Sequence, residues 1–174
     1  RVDIVIPVLN EEKLLEKNLL KILVFAEQKL SDKFNFKLII ADNGSTDETH
    51  NIGMRLSRNY EDKILYHKVS KIGVGLALKS AWSVSDADFI GYMDLDLATD
   101  LYYLPEALNA LINADIVYGT RLHKKSKVIG SIKKEKNENL YRILKKMWLL
   151  FGKRVLVYLF KPKDDSNLNQ RAKD

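Results

Sequence analysis

The chain has 174 residues, of which 46% are hydrophobic and 30% are charged, and it contains no cysteine. This length and composition are typical of a globular domain with a buried core and exclude a disordered chain. The lack of cysteine excludes a disulfide framework and a thiolate metal site, and it fits a reducing compartment. No stretch approaches the roughly 20 apolar residues that cross a bilayer, and the start at a strand predicts a protein without a signal peptide.

The net charge of +6 is unevenly distributed along the chain. Residues 1–120 carry a net charge of −5, whereas residues 121–174 carry +11. A basic segment of this kind points to an anionic partner, which is a membrane surface, a phosphate-bearing substrate or nucleic acid. The contrast predicts two regions: an α/β core at residues 1–121 and a basic region at residues 122–174.

Short apolar runs alternate with helical patterns over the first 120 residues. The predicted strands are Val2–Val8, Phe36–Ala41, Ile64–His67, Phe89–Met93 and Ile116–Tyr118. The predicted helices are Glu11–Leu30, one that starts at a capping box over Ser45–Glu48, one from the Gly73–Gly75 turn to about Ser85, and Pro105–Asn113. Strict alternation predicts an α/β fold with a mostly parallel sheet and helices on both faces.

The basic region has its own pattern. Arg121–Lys136 is a basic linker, and apolar residues then recur at helical spacing over Leu140–Phe151 among lysines and arginines. This pattern is typical of an amphipathic helix at a membrane interface, with Trp148 and Tyr158 suited to the headgroup layer. The alternative is a helix that packs on the core with solvated lysines. The first reading predicts a cytoplasmic protein that is peripheral on an anionic membrane surface, bound through residues 138–163.

Polar loops follow the first, second and fourth predicted strands. They are Pro7–Glu12, Asp42–Asp47 and Asp94–Asp100. In a parallel sheet the carboxyl ends of the strands converge on one crevice, where acidic and amide side chains such as Asn10 are placed to bind a base and a ribose. Each loop alone also reads as an ordinary turn or helix cap. Asp94 and Asp96, however, follow a buried strand and repel each other without a cation, so they predict a Mg²⁺ or Mn²⁺ site that is open to a diphosphate.

Three further features bear on ligand binding. The Gly73–Ala77 turn lacks the third glycine of a dinucleotide fingerprint and does not follow the first strand, which excludes a Rossmann dehydrogenase; its glycines are expected to let the backbone pass close to a ligand or the sheet. Lys79 is a candidate phosphate ligand or a solvated lysine. Arg121 is a candidate clamp for a phosphate, or it simply begins the basic linker. The three histidines show no metal-ligand spacing and are assigned structural roles.

Five segments carry a family resemblance. They are Ile4–Glu12, Ile39–Asp47, Lys71–Ala77, Met93–Asp100 and Tyr118–Arg121. In this order and spacing the chain resembles a family 2 glycosyltransferase of the GT-A nucleotide-sugar fold, most closely the polyprenyl (dolichyl) phosphate mannose and glucose synthases. The resemblance implies nucleotide contacts at Pro7, Leu9, Glu11 and Asp42, metal ligation at Asp94 and Asp96, and a phosphate contact at Arg121.

The implied reaction is an inverting transfer of a hexose from UDP-glucose or GDP-mannose to a polyprenyl phosphate. A metal ion stabilises the departing nucleoside diphosphate. A phosphate acceptor is mostly dianionic at neutral pH, which agrees with the lack of an obvious general base after residue 100.

Three other functions are possible for parts of this sequence. They are a transferase of the same fold with a glycan or soluble hydroxyl acceptor, a sugar nucleotidylyltransferase, and a nucleic-acid-binding module over residues 121–163. The nucleotidylyltransferase needs a glycine-rich signature after the first strand, where this chain has Pro7–Glu11. The basic region lacks the aromatic platforms of nucleic-acid binders, so no nucleic-acid partner is expected. The oligomeric state is left open.

Overall fold

The computed structural model describes residues 1–69, 72–119 and 154–158. The strands are β1 (Val2–Val8), β2 (Phe36–Asp42), β3 (Ile64–Lys68), β4 (Phe89–Met93), β5 (Ile116–Tyr118) and β6 (Arg154–Tyr158). They form one parallel sheet in the order β3-β2-β1-β4-β6-β5. The five strands predicted from the sequence are confirmed to within one residue, and β6 is an addition.

Helices cover both faces of this sheet, as predicted. They are α1 (Leu15–Leu30), α2 (Thr49–Asn59), α3 (Val74–Ser83) and α4 (Leu104–Leu111), the last preceded by a 3-10 turn at Leu101–Tyr103. Because side chains alternate along a strand, Ile4 and Ile6 of β1 face the core under α1, α2 and α4, whereas Val5 faces the core under α3. Within the described ranges, no helix combines the length and the apolarity that a membrane span requires.

The first helix begins later than predicted, at Leu15 instead of Glu11. The carbonyl of Glu11 accepts hydrogen bonds from the N–H groups of Leu14 and Leu15, which closes a tight turn ahead of the helix. Asn10, just before this turn, has a φ of 54°. This left-handed conformation turns the chain away from β1, and residues 9–14 form the loop between β1 and α1.

The predicted capping box at Ser45–Glu48 is wrong. The second helix starts at Thr49, whose N–H donates to Asp47 Oδ1 at 3.0 Å. The Ser45 hydroxyl instead accepts a hydrogen bond from the Asn10 N–H at 3.0 Å. Ser45 therefore joins the loops after β1 and β2 and does not cap the helix.

The strand β6 comes from the region that the sequence assigns to the membrane. It lies between β4 and β5 and pairs in parallel with both, and Leu156 is only 1% exposed. Strands in the interior of a parallel sheet commonly read as short continuous apolar runs. The predicted membrane contact through residues 138–163 is thus wrong for Leu156, which lies in the core. Arg121 and the predicted helix over Leu140–Phe151 lie outside the described residues.

Candidate active site

The three polar loops leave the sheet at one edge. The strand β1 is central between β2 and β4, and all three are parallel. Their carboxyl ends are therefore adjacent, and the loops Pro7–Glu12, Asp42–Asp47 and Asp94–Asp100 leave the sheet at the same edge. The surface between these three loops is called the crevice below.

The loops after β1 and β2 are joined by hydrogen bonds. The N–H of Thr46 donates to Asn10 Oδ1 at 2.8 Å, and the N–H of Asn10 donates in the reverse direction to the Ser45 hydroxyl. The N–H of Glu11 donates to the Thr49 hydroxyl at 2.8 Å. The amide oxygen of Asn10 is thus engaged in shaping the crevice.

The remaining residues predicted to contact the nucleotide lie on β1, in the loop that follows it, in the glycine turn and on α3. Pro7 is half-buried at the end of β1, and Leu9 is 40% exposed at the mouth of the crevice. The N–H of Gly73 donates to Asn43 Oδ1 at 2.7 Å, which holds the glycine turn beside the loop after β2. The φ of Gly73 is 150°, a conformation that favours glycine. Lys79 is exposed on α3 and makes no hydrogen bond or ion pair with the other described residues, so the structure does not connect it to the loops.

Asp42 lies beneath the surface at the end of β2, with no exposed area. Its Oδ1 accepts a hydrogen bond from the Ser45 N–H at 2.8 Å, and its Oδ2 accepts one from the hydroxyl of Tyr66 on β3. Burial alone raises the pKa of Asp42, but hydrogen bonds from Tyr66, Ser45 and the Gly44 N–H outweigh it and hold the pKa below its usual value. A direct contact between Asp42 and a nucleotide therefore requires the loop to move.

The loop after β4 is anchored in the core. Leu95, between the two acidic residues, is 5% exposed, and its carbonyl accepts a hydrogen bond from Asn18 Nδ2 of α1 at 3.1 Å. A buried amide that satisfies a buried carbonyl holds the loop in one conformation. Leu97 then adopts a φ of 57°, which is uncommon for a residue with a side chain and is typical of functional sites.

The two carboxylates differ in burial and each is oriented by one donor. Asp94 is half-buried and its Oδ1 accepts from the Tyr92 hydroxyl at 2.7 Å, whereas Asp96 is exposed and its Oδ1 accepts from the Ala98 N–H at 2.9 Å. Burial raises the pKa of Asp94; the Tyr92 hydrogen bond opposes this rise and the charge of Asp96 adds to it. No described residue donates a hydrogen bond to Oδ2 of either carboxylate.

These two Oδ2 atoms have the chemistry of a hard-cation site. Carboxylate oxygens are the ligands that Mg²⁺ prefers in proteins, and a cation relieves both the burial and the mutual repulsion of the pair. A shallow cleft beside them is lined by Met93, Asp94, Leu97, Ala98 and Thr99. The described ranges contain no cluster of three or more acidic, histidine or cysteine side chains able to hold a metal.

Comparison with known proteins finds relatives among the glycosyltransferases. Glycosyltransferase AglD of Haloferax volcanii is 35% identical over 106 residues, which cover 60% of this chain and 17% of the relative. Dolichol-phosphate mannosyltransferase of Pyrococcus furiosus is 27% identical over 129 residues, which cover 74% of this chain and 35% of the relative.

A solved structure shows the same fold. The mannosyltransferase PcManGT from Pyrobaculum calidifontis, in complex with GDP-Man and Mn²⁺, matches with a TM-score of 0.55 and 21% identity over 67% of this chain and 33% of that chain. The predicted GT-A fold is thereby confirmed. This chain spans about a third or less of the length of these three proteins.

The family model described as glycosyl transferase family 2 matches residues 3–162. That match takes in all six strands of the sheet and the three loops at its edge. The chain therefore belongs to glycosyl transferase family 2, and the resemblance seen in the sequence is confirmed.

Proposed function

We propose that the chain forms the donor-binding part of an inverting glycosyltransferase that moves a hexose from a nucleoside diphosphate sugar to a polyprenyl phosphate. One observation carries the proposal: Asp94 and Asp96 stand at the same sheet edge as the interlocked loops after β1 and β2. This juxtaposition supplies a cation site beside a polar crevice, which is what a nucleoside diphosphate requires.

Asp94 and Asp96 would hold Mg²⁺ or Mn²⁺ through their Oδ2 atoms. Diphosphate oxygens would be suitable further ligands for such a cation. When bound, the cation supplies Lewis acid stabilisation to the leaving diphosphate. The hydrogen bonds from Tyr92 and Ala98 fix the carboxylates before the cation arrives.

The nucleoside lies over the loops after β1 and β2. There we assign Pro7, Leu9 and Glu11 to nucleoside contacts, and Asp42, which accepts the N–H of Ser45, to holding the loop beneath the base. Gly73 lets the backbone approach the ligand. The donor is GDP-mannose or UDP-glucose, since the relatives include a dolichol-phosphate mannosyltransferase as well as dolichyl-phosphate beta-glucosyltransferases.

The acceptor is a polyprenyl phosphate, in agreement with the names of these relatives. Its dianionic phosphate attacks without a general base. We assign Arg121 to a phosphate contact, since a guanidinium binds phosphate oxygens bidentately. We assign Lys79 to a second phosphate contact on the basis of its exposed ammonium group alone. The reaction takes place at the cytosolic face of a membrane.

A transfer assay tests this function. The protein is incubated with Mn²⁺ and radiolabelled GDP-mannose or UDP-glucose, together with polyprenyl phosphate, unphosphorylated polyprenol or a soluble glycan. We expect label in the organic phase with polyprenyl phosphate alone. Label that appears only on the glycan, or equally on polyprenol, would show that the acceptor is a hydroxyl group.

Membrane binding needs a test that spares β6, because a deletion of residues 138–163 also removes this strand. We expect the protein to sediment with vesicles that contain anionic phospholipid and not with neutral vesicles. Replacing Arg142, Lys145 and Lys146 with glutamine is expected to weaken this binding about 100-fold, because each basic residue contributes about 1 kcal/mol.

The matched control neutralises three exposed lysines of α1 and the turn before it, Lys13, Lys17 and Lys21. This control variant is expected to sediment like the unmodified protein. Equal sedimentation of all three proteins would place the membrane contact elsewhere.

Loss of the Tyr92 hydroxyl is expected to change the pH dependence of donor binding. The hydrogen bond favours the ionised form of Asp94, so Tyr92→Phe raises the pKa of Asp94 further. Protons compete with a cation for a carboxylate, and binding is therefore lost as the pH falls through that pKa. Calorimetric titration of Mn²⁺ and nucleoside diphosphate over a pH series should place the loss at higher pH in Tyr92→Phe. An unchanged midpoint would refute this role of Tyr92.

A further inference from the structure

The hydroxyl of Tyr66 joins two side chains that lie far apart in the sequence. It donates to Asp42 Oδ2, and it lies 2.9 Å from His50 Nδ1 of α2. A phenol has one proton, and here the carboxylate receives it. His50 Nδ1 therefore carries a proton and donates to Tyr66, which makes a chain of donors from His50 through Tyr66 to Asp42.

The fold makes room for the Tyr66 ring. A Cβ atom on Gly53 of α2 would lie 2.4 Å from Tyr66 Cδ2, so only glycine leaves space there. The His50 ring packs edge-on at a centroid distance of 5.3 Å. Glycine inside a helix costs about 1 kcal/mol relative to alanine, and its presence at position 53 indicates that the place of the ring matters.

The series of hydrogen bonds that starts at His50 ends at the Asp42–Asp47 loop, which borders the crevice. Tyr66 fixes Oδ2 of Asp42, and the other oxygen of Asp42 accepts the N–H of Ser45. Ser45 in turn accepts the N–H of Asn10. The position of the Tyr66 hydroxyl is thereby transmitted to both interlocked loops.

This network is remote from the acidic pair. The order β2-β1-β4 places Asp42 two strands, or roughly 10 Å, from Asp94. A nucleoside diphosphate whose phosphates sit at Asp94 and Asp96 reaches this distance with its base. The network therefore underlies the base end of the site.

We propose that Tyr66, held by His50 and Gly53, is a positioning residue that shapes the Asp42–Asp47 loop through Asp42 and so sets the affinity for the nucleotide base and not for the diphosphate. This inference rests on the proposed function. It adds three residues to the site that neither the sequence motifs nor the family match assigns.

The test separates the two ends of the ligand. Dissociation constants of UDP, GDP and pyrophosphate are measured by calorimetry with Mn²⁺ for the unmodified protein, Tyr66→Phe and the control Tyr60→Phe, an exposed tyrosine at the end of α2. In Tyr66→Phe, the affinity for whichever nucleotide the unmodified protein binds is expected to fall about tenfold. This is the effect of losing one hydrogen bond to a charged group. Pyrophosphate binding stays within about twofold, and Tyr60→Phe changes neither constant.

Three further variants keep the test decisive if Tyr66→Phe does not fold. His50→Ala is expected to weaken nucleotide binding, and His50→Asn, whose amide reaches the position of Nδ1, to restore it. Gly53→Ala displaces the ring and should cause the same base-dependent loss, although alanine is the better helix former. Nucleotide binding that is unchanged in His50→Ala and Gly53→Ala, or an equal loss of pyrophosphate binding in them, would overturn the inference.

The outcomes distinguish this inference from the function on which it rests. If the unmodified protein binds neither UDP nor GDP, the proposed function fails and the inference falls with it. If the unmodified protein binds a nucleotide and Tyr66→Phe binds it equally well, the donor site stands and only the role of Tyr66 is refuted.

Discussion

Replacing Asp96 with asparagine is expected to lower the rate of hexose transfer by at least about 100-fold, since even groups that only support metal ligands contribute 10- to 100-fold. Asp96 is exposed, and one of its oxygens receives no hydrogen bond from the described residues. The side chain is thus available to a cation, and asparagine removes the negative charge that binds it. Asp94→Asn is expected to act in the same direction.

The same substitutions should not lower stability. The pKa of Asp94 is raised in the folded protein, first by burial and also by Asp96, so its ionisation at neutral pH opposes folding when no cation is present. Asparagine at either position removes the repulsion, and the free energy of unfolding without metal should stay equal or increase. Loss of activity together with retained stability is the signature of a functional site.

The control for this pair is Asp62→Asn. Asp62 is exposed and precedes β3, so it lies at the opposite edge of the sheet. Its replacement should leave both transfer and metal-dependent nucleotide binding unchanged. If Asp96→Asn and Asp94→Asn retain the full transfer rate, the assignment of the acidic pair is refuted.

Replacing Leu156 with alanine is expected to lower the free energy of unfolding by about 2–5 kcal/mol, the usual range for a buried leucine. Leu156 is 1% exposed and belongs to the core cluster beneath α1 and α4. Its strand, β6, supplies the hydrogen-bonding partner of both β4 and β5. A chain that ends at residue 121 should fail to fold, because β4 would lose a neighbour and β5 would lose its attachment to the sheet.

Urea denaturation followed by circular dichroism measures this effect. Leu14→Ala is the matched control, since Leu14 is 41% exposed just before α1 and its loss should change stability by less than about 0.5 kcal/mol. A Leu156→Ala protein that is as stable as this control would show that β6 does not belong to the core.

Most of the fold is predictable from the sequence because its first five strands alternate with helices of clear period. The strand β6 is not, for two physical reasons. The apolar run of six residues over 155–160 reads equally as a buried strand and as part of a membrane-facing segment, and no periodicity separates the two. Its partner β4 also ends about 60 residues earlier, and nothing local indicates that pairing.

The candidate site divides in the same way. Asp94, Asp96, Asn10 and Asp42 are predictable because each follows a strand in a local motif. Tyr66, His50 and Asn18 reach the site from β3, α2 and α1, and only the topology brings them there. The sequence predicts a structural role for His50, and the contact between His50 and Tyr66 is consistent with that role. The spacing of the histidines cannot reveal that Tyr66 is the residue that His50 supports.

The central claim is that Asp94 and Asp96 bind the cation that holds the diphosphate of a sugar nucleotide. Anomalous diffraction from crystals grown with Mn²⁺ and GDP or UDP tests it most directly. We predict a single strong manganese peak within coordination distance of oxygens from both carboxylates and from the diphosphate. A manganese peak elsewhere, with both side chains directed into solvent, would contradict the account.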